Sequence, residues 1–85
     1  MMKEERIALV TGGSGFIGES LIKRLVTEGW TIQNLDFAPG RFLHPRVRHW
    51  SGSFQDNQLL REAMVGVDTV WHLASTHFPR DADQN

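Results

Sequence analysis

The 85-residue chain is 40% apolar and 22% charged, ordinary globular usage, and at this length it is expected to form at most one compact unit. Nine basic against ten acidic residues give a net charge of -1, which argues against nucleic acid as a partner. Cysteine is absent, so neither a disulfide framework nor a thiolate zinc site can be assembled.

The opening Met1 to Arg6 leads into four apolar residues, Ile7-Ala8-Leu9-Val10. That run is far short of a secretory segment of roughly 7 to 15 residues or a membrane span of about 20, so a soluble cytoplasmic protein with no membrane partner is expected. The same run, ending at Thr11-Gly12-Gly13, has the pattern of a first strand buried on both faces of a parallel sheet. From Phe16 onward, Ile17, Leu21 and Leu25 recur at helical spacing with Ile22 and Val26 beside them, predicting a helix that lays this face on the sheet and stops at Gly29. Thr31 to Asp36 is the second strand, bounded by Gly29 and the Pro39-Gly40 turn. Pro39 and Pro45 forbid a regular helix over residues 37 to 45, leaving an irregular crossover. Val47 to Trp50 is a short third strand. Asp56 or Asn57 caps a second helix carrying Leu59, Leu60, Ala63 and Met64 and ended by Gly66, and Asp68 to Ala74 is a fourth strand. Strands alternating with crossovers at this spacing predict an α/β parallel sheet with right-handed crossovers; a Rossmann-type arrangement of it has the order 3-2-1-4, here incomplete against the roughly six strands of a whole Rossmann sheet. Residues 1 to 75 form this unit; residues 76 to 85 read as a polar tail or the start of a next segment.

Between the first strand and the first helix, glycines stand at 12, 15 and 18. Gly12 permits a tight strand-to-helix turn, Gly15 leaves no Cβ between the backbone and a pyrophosphate, and Gly18 lets the helix pack closely on the strand. The helix N-terminus then offers N–H groups and a partial positive charge to phosphates. Loops also collect glycine for turn geometry alone, but Asp36, eighteen residues beyond Gly18 at the end of the second strand, adds a carboxylate suited to both hydroxyls of an adenosine ribose. It would repel a 2′-phosphate, which favours NAD over NADP, while Arg41 is the side chain that could answer such a phosphate. The alternative for Asp36 is a turn-capping aspartate ahead of Pro39.

Val10-Thr11-Gly12-Gly13-Ser14-Gly15-Phe16-Ile17-Gly18 resembles the opening motif of the extended short-chain dehydrogenase/reductases, the NAD-dependent epimerase/dehydratase group in particular. The resemblance spans nearly the whole chain and implies cofactor contacts at Gly12, Gly15, Phe16, Ile17, Gly18 and Asp36. Gly52-Ser53-Phe54-Gln55-Asp56 aligns with a family Gly-Asp-Ile/Leu-x-Asp motif. Ser53 replaces the acid that meets adenine, which weakens that contact, whereas the Phe54 backbone N–H can still serve; Asp56 reads better as a helix cap. Val70 to Ser75 resembles the family's fourth-strand ending, implying that Leu73, Ala74 and Ser75 pass along the cofactor. Family catalysis uses a Tyr-x-x-x-Lys pair. This chain holds no tyrosine, and its only lysines are Lys3 and Lys23.

Other residues carry less. His44, His49, His72 and His77 form two pairs five apart, without the spacing of a two-histidine ligand motif. Arg41, Arg46 and Arg48 read as a solvated patch, and Asp81 and Asp83 lack the rest of a calcium loop. Three functions remain open on the sequence. One is the NAD(P)-binding segment, non-catalytic alone, of an oxidoreductase acting on a nucleotide sugar, steroid or similar alcohol. The others are a stand-alone dinucleotide-binding or sensing module, and an inactive remnant that self-associates through an exposed fourth-strand edge.

Overall fold

The computed structural model describes residues 5 to 73. Its elements are β1 (Arg6–Thr11), α1 (Phe16–Thr27), β2 (Trp30–Asp36), β3 (Val47–Ser51), α2 (Asn57–Ala63) and β4 (Thr69–His72). All strand pairs are parallel, as the alternation of elements predicts, and the sheet order is β3-β2-β1-β4, that expected of a Rossmann arrangement. Residues 37 to 46 form no regular element, in keeping with Pro39 and Pro45.

Burial explains why β1 reads as an unbroken apolar run. Ala8 and Val10 face one side, where they pack with Ile22 and Leu25 of α1 and with Trp30 and Ile32 of β2. Leu9 faces the other side and packs with Leu35 and with Ala63 of α2, flanked by Leu59, Leu60 and Phe54. A strand covered on both faces has no position left for an alternating polar residue. The strand β2 reads less clearly because Gln33 and Asn34 interrupt its apolar pattern, and both side chains are engaged in hydrogen bonds. The Gln33 Oε1 accepts from the Trp50 indole at 2.7 Å.

The apolar face of α1 is rotated from the expected one. Gly18, Ile22 and Leu25 are buried with Leu21 and Val26 beside them, whereas Phe16 and Ile17 are 86% and 74% exposed. Helical spacing alone puts Ile17 in line with Leu21, but the packed face is carried by Gly18, Ile22 and Leu25, which leaves Ile17 exposed at the helix start. The helix ends as expected at Gly29, whose φ of +94° suits glycine and whose N–H donates to the Val26 carbonyl.

Asp56 caps α2, its Oδ1 accepting from the N–H groups of Gln58 and Leu59 at 3.1 Å each. That helix stops at Ala63, three residues before Gly66, and Met64 is 40% exposed rather than part of the packed face. Gly66, at φ +76°, instead shapes the turn into β4. Asp68 precedes the strand and locks its start to β1, its carboxylate accepting from Ile7 N–H at 2.9 Å and its own N–H donating to the Ile7 carbonyl at 2.8 Å. No helix among the described residues is long and apolar enough to cross a membrane.

Candidate functional site

Because every strand runs the same way, the carboxyl ends of all four lie on one edge. Thr11 sits opposite both Leu35 and His72, and Asp36 opposite Ser51. In an open parallel sheet this edge is where ligands bind, at the point where successive connections depart to opposite faces. Here α1 leaves toward one face and α2 returns along the other, so that point lies between β1 and β4.

The turn from β1 into α1 fills this position. Gly12 adopts φ +80°, and its N–H continues the ladder to the Leu35 carbonyl at 3.0 Å. Gly15 is the residue before the helix and contributes no side-chain cap, in contrast to Asp56 at α2. The first-turn N–H groups of Phe16, Ile17 and Gly18, for which the helix itself provides no acceptor, are thus not taken by a capping side chain. A Cβ built on Gly15 would meet nothing nearer than the Gly12 oxygen at 3.8 Å, so this glycine borders open space. One on Gly18 would collide with the Gly12 oxygen and Gly13 Cα. Gly18 therefore enables close packing, as expected, but against the backbone of the turn rather than the strand proper.

Gly12, Gly15, Phe16, Ile17, Gly18 and Leu73 together line a groove of about 370 Å³. Six of the candidate residues are thereby brought into one place. Leu73 reaches it because its N–H extends the β1–β4 ladder, donating to the Thr11 carbonyl at 2.9 Å. Beside it, the Thr11 hydroxyl and His72 Nδ1 are 2.6 Å apart, which ties the ends of β1 and β4 together through side chains. The Phe54 ring packs edge-on against His72, with centroids 4.8 Å apart.

Asp36 adjoins the groove through the glycine turn. Its Oδ2 accepts from Ser14 N–H at 2.9 Å and its Oδ1 from Ala38 N–H at 3.1 Å, so the turn-capping role is realised. Each carboxylate oxygen retains acceptor capacity beyond one such bond, which leaves room for a ribose hydroxyl. Arg41 lies 3.9 Å from Glu19 of α1. Ser53 is used locally, its Oγ accepting from Gln55 N–H at 2.9 Å, and neither it nor Phe54 lines the groove. Ala74 and Ser75 lie outside the described residues.

Three residues of the site escape a reading based on spacing. Gly13 is needed as much as its neighbours, since a Cβ there would strike the Asn34 amide and Ile22. Ser14 bridges outward, its hydroxyl donating to the Ala38 carbonyl at 2.8 Å. Asn34 is 1% exposed, and its Oδ1 accepts from Gly13 N–H at 2.9 Å. The only sequence signal for Asn34 was a polar residue at an inward position of a strand.

A glycine turn joining β1 to α1 at the carboxyl edge of a 3-2-1-4 parallel sheet, with an acid ending β2, defines a Rossmann-type domain. Residues 8 to 85 match the NAD dependent epimerase/dehydratase family, and the chain belongs to that family. It is similar to the sterol-4-alpha-carboxylate 3-dehydrogenase, decarboxylating, of Mus musculus, at 41% identity over 66 residues covering 78% of this chain and 18% of that protein. Among solved structures it resembles a short-chain dehydrogenase/reductase superfamily protein from Agrobacterium tumefaciens with bound NAD, at 32% identity and a TM-score of 0.73, covering 93% of this chain and 24% of that one. It is likewise similar to the Bordetella bronchiseptica enzyme WbmH in complex with NAD+, at 27% identity and a TM-score of 0.78, covering 92% and 28%. The chain spans less than a fifth of the length of the curated relatives it matches.

Proposed function

We propose that this chain binds NAD as the cofactor-binding segment of an oxidoreductase whose substrate is a sterol, a nucleotide sugar or a similar secondary alcohol. The observation that carries this reading is the groove itself, where an uncapped helix start, a glycine bordering open space and an acid at the end of β2 meet on the carboxyl edge of the sheet. The N–H groups of Phe16 and Ile17 hold the pyrophosphate, aided by the positive end of α1. Gly15 admits it by presenting no side chain. Asp36 receives the adenosine ribose hydroxyls and, being anionic, disfavours a 2′-phosphate, which makes NAD the preferred dinucleotide. Adenine lies toward Ser53 and the Phe54 N–H, and Leu73 borders the rest of the cofactor.

NAD supplies the hydride acceptor for an alcohol carbon; this chain's residues contribute binding and orientation. The family's Tyr-x-x-x-Lys pair is not among them, since the chain has no tyrosine, and proton transfer in the whole enzyme belongs to residues elsewhere. The substrate class draws on the mouse relative named as a sterol dehydrogenase. Calorimetric titration with NAD and NADP tests the reading. Saturable binding of NAD, tighter than that of NADP, is expected; no heat with either dinucleotide at millimolar concentration would overturn it.

A further inference from the structure

Asn34 is a polar residue in an otherwise apolar layer, on the same face of the sheet as Ile32 and Trp30. A buried amide costs free energy unless its groups are bonded, and here all of them are. Oδ1 accepts from Gly13 N–H, while Nδ2 donates to Ser14 Oγ at 3.2 Å and to His49 Nδ1 at 3.0 Å. Gly13 can only donate, which fixes the amide with its oxygen toward the turn and its nitrogen toward β3. His49 Nδ1 must therefore accept, and the proton resides on Nε2, which donates to the Phe42 carbonyl at 3.0 Å. Gly40 lets the crossover lie against this imidazole, because a Cβ there would strike the ring.

The result is a directed chain of bonds from the glycine turn, through the buried Asn34 and the half-buried His49, to the loop that follows Asp36. We infer that His49 is a positioning residue for the dinucleotide: through Asn34 it holds Gly13 and Ser14 in the geometry that leaves the donors of Phe16 and Ile17 directed into the groove. It also couples the phosphate side of the site to the ribose side, since the 37–46 loop is held at Ala38 by Ser14 and at Phe42 by His49. The inference rests on the NAD-binding reading for its functional consequence, but the bond chain can be observed without ligand.

Two substitutions separate the two ends of the imidazole. His49→Asn places an acceptor near the Nδ1 position and keeps the bond from Asn34 while giving up that to Phe42, whereas His49→Gln places its amide near Nε2 and leaves Asn34 Nδ2 with Ser14 Oγ as its one acceptor. NAD affinity is expected to fall about two- to threefold in His49→Asn, which gives up only the Phe42 contact, and about five- to tenfold in His49→Gln, which gives up the part-buried bond to Asn34. In the 15N-labelled protein without ligand, the imidazole nitrogens should show the Nε2–H tautomer, and the Gly13 amide resonance should move in His49→Gln and not in His49→Asn. A tautomer protonated at Nδ1 overturns the relay even if both variants fail to fold. Equal NAD affinity in the two variants overturns the positioning role. Absence of NAD binding by the parent protein with the expected tautomer and Gly13 shifts would instead remove the NAD-binding reading, and the positioning role with it, while leaving the bond chain in place.

Discussion

The Asp36 carboxylate accepts the Ser14 N–H at 2.9 Å, so the acid at the end of β2 builds the glycine turn as well as standing beside it. Its second oxygen holds Ala38 N–H. Asp36→Asn retains one acceptor oxygen and so can keep only one of these bonds. The fold should lose about 1 kcal/mol. NAD affinity should fall about tenfold or more, while NADP loses less, since the repulsion of its 2′-phosphate is removed. Parallel titrations of both dinucleotides check this, and unchanged NAD affinity would exclude Asp36 as a ribose ligand.

Gly15 and Gly18 should separate binding from folding. Gly15 has an ordinary φ of -79° and open space where a Cβ would go, so Gly15→Ala should leave the melting temperature unchanged and obstruct the pyrophosphate, weakening NAD binding by about tenfold or more. Gly18→Ala drives a methyl into the Gly12 and Gly13 backbone and should destabilise the protein by about 1 to 3 kcal/mol. Thermal unfolding beside ligand titration tells them apart; equal stability losses in both would show that Gly15 also serves packing.

Asn34→Leu removes the acceptor for Gly13 N–H and strands the acceptor face of His49. Unsatisfied buried groups cost about 1 to 3 kcal/mol, and the added apolar volume does not restore them. Urea unfolding should register a loss in that range. A neutral result would mean that the interior network can be replaced by apolar packing.

Asp56 offers a control outside the groove. Asp56→Ala deletes the cap of a helix seven residues long, and stability should drop by about 0.5 to 2 kcal/mol with NAD affinity unaltered. A drop in affinity equal to that of Asp36→Asn would place Asp56 in the adenine site instead.

Much of the fold was legible in the chain because its elements carry strong local signatures. Ile7 to Val10 reads as a two-sided strand from its short unbroken apolar run, Gly29 and Asp56 are end signals with direct backbone causes, and two prolines preclude a helix in the crossover. The errors lie where a local rule met the limit of its tertiary partner. Ile17 follows the helical period but lines the groove instead of packing on the sheet, and Met64 lies past the end of α2 and is left 40% exposed.

The sequence by itself determined the parallel α/β alternation, the glycine turn and the acid paired with it, since local spacing and backbone requirements carry those; the strand order followed only from the resemblance to a Rossmann arrangement. Tertiary structure alone decided how that turn is held. Gly13, Asn34 and His49 are separated by fifteen to thirty-six positions and show no periodic relation to one another. Their hydrogen bonds exist only because parallel register sets Asn34 opposite His49 on one side and Val10, next to the turn, on the other. Side-chain bonds of this kind depend on distances across strands, which no local pattern encodes.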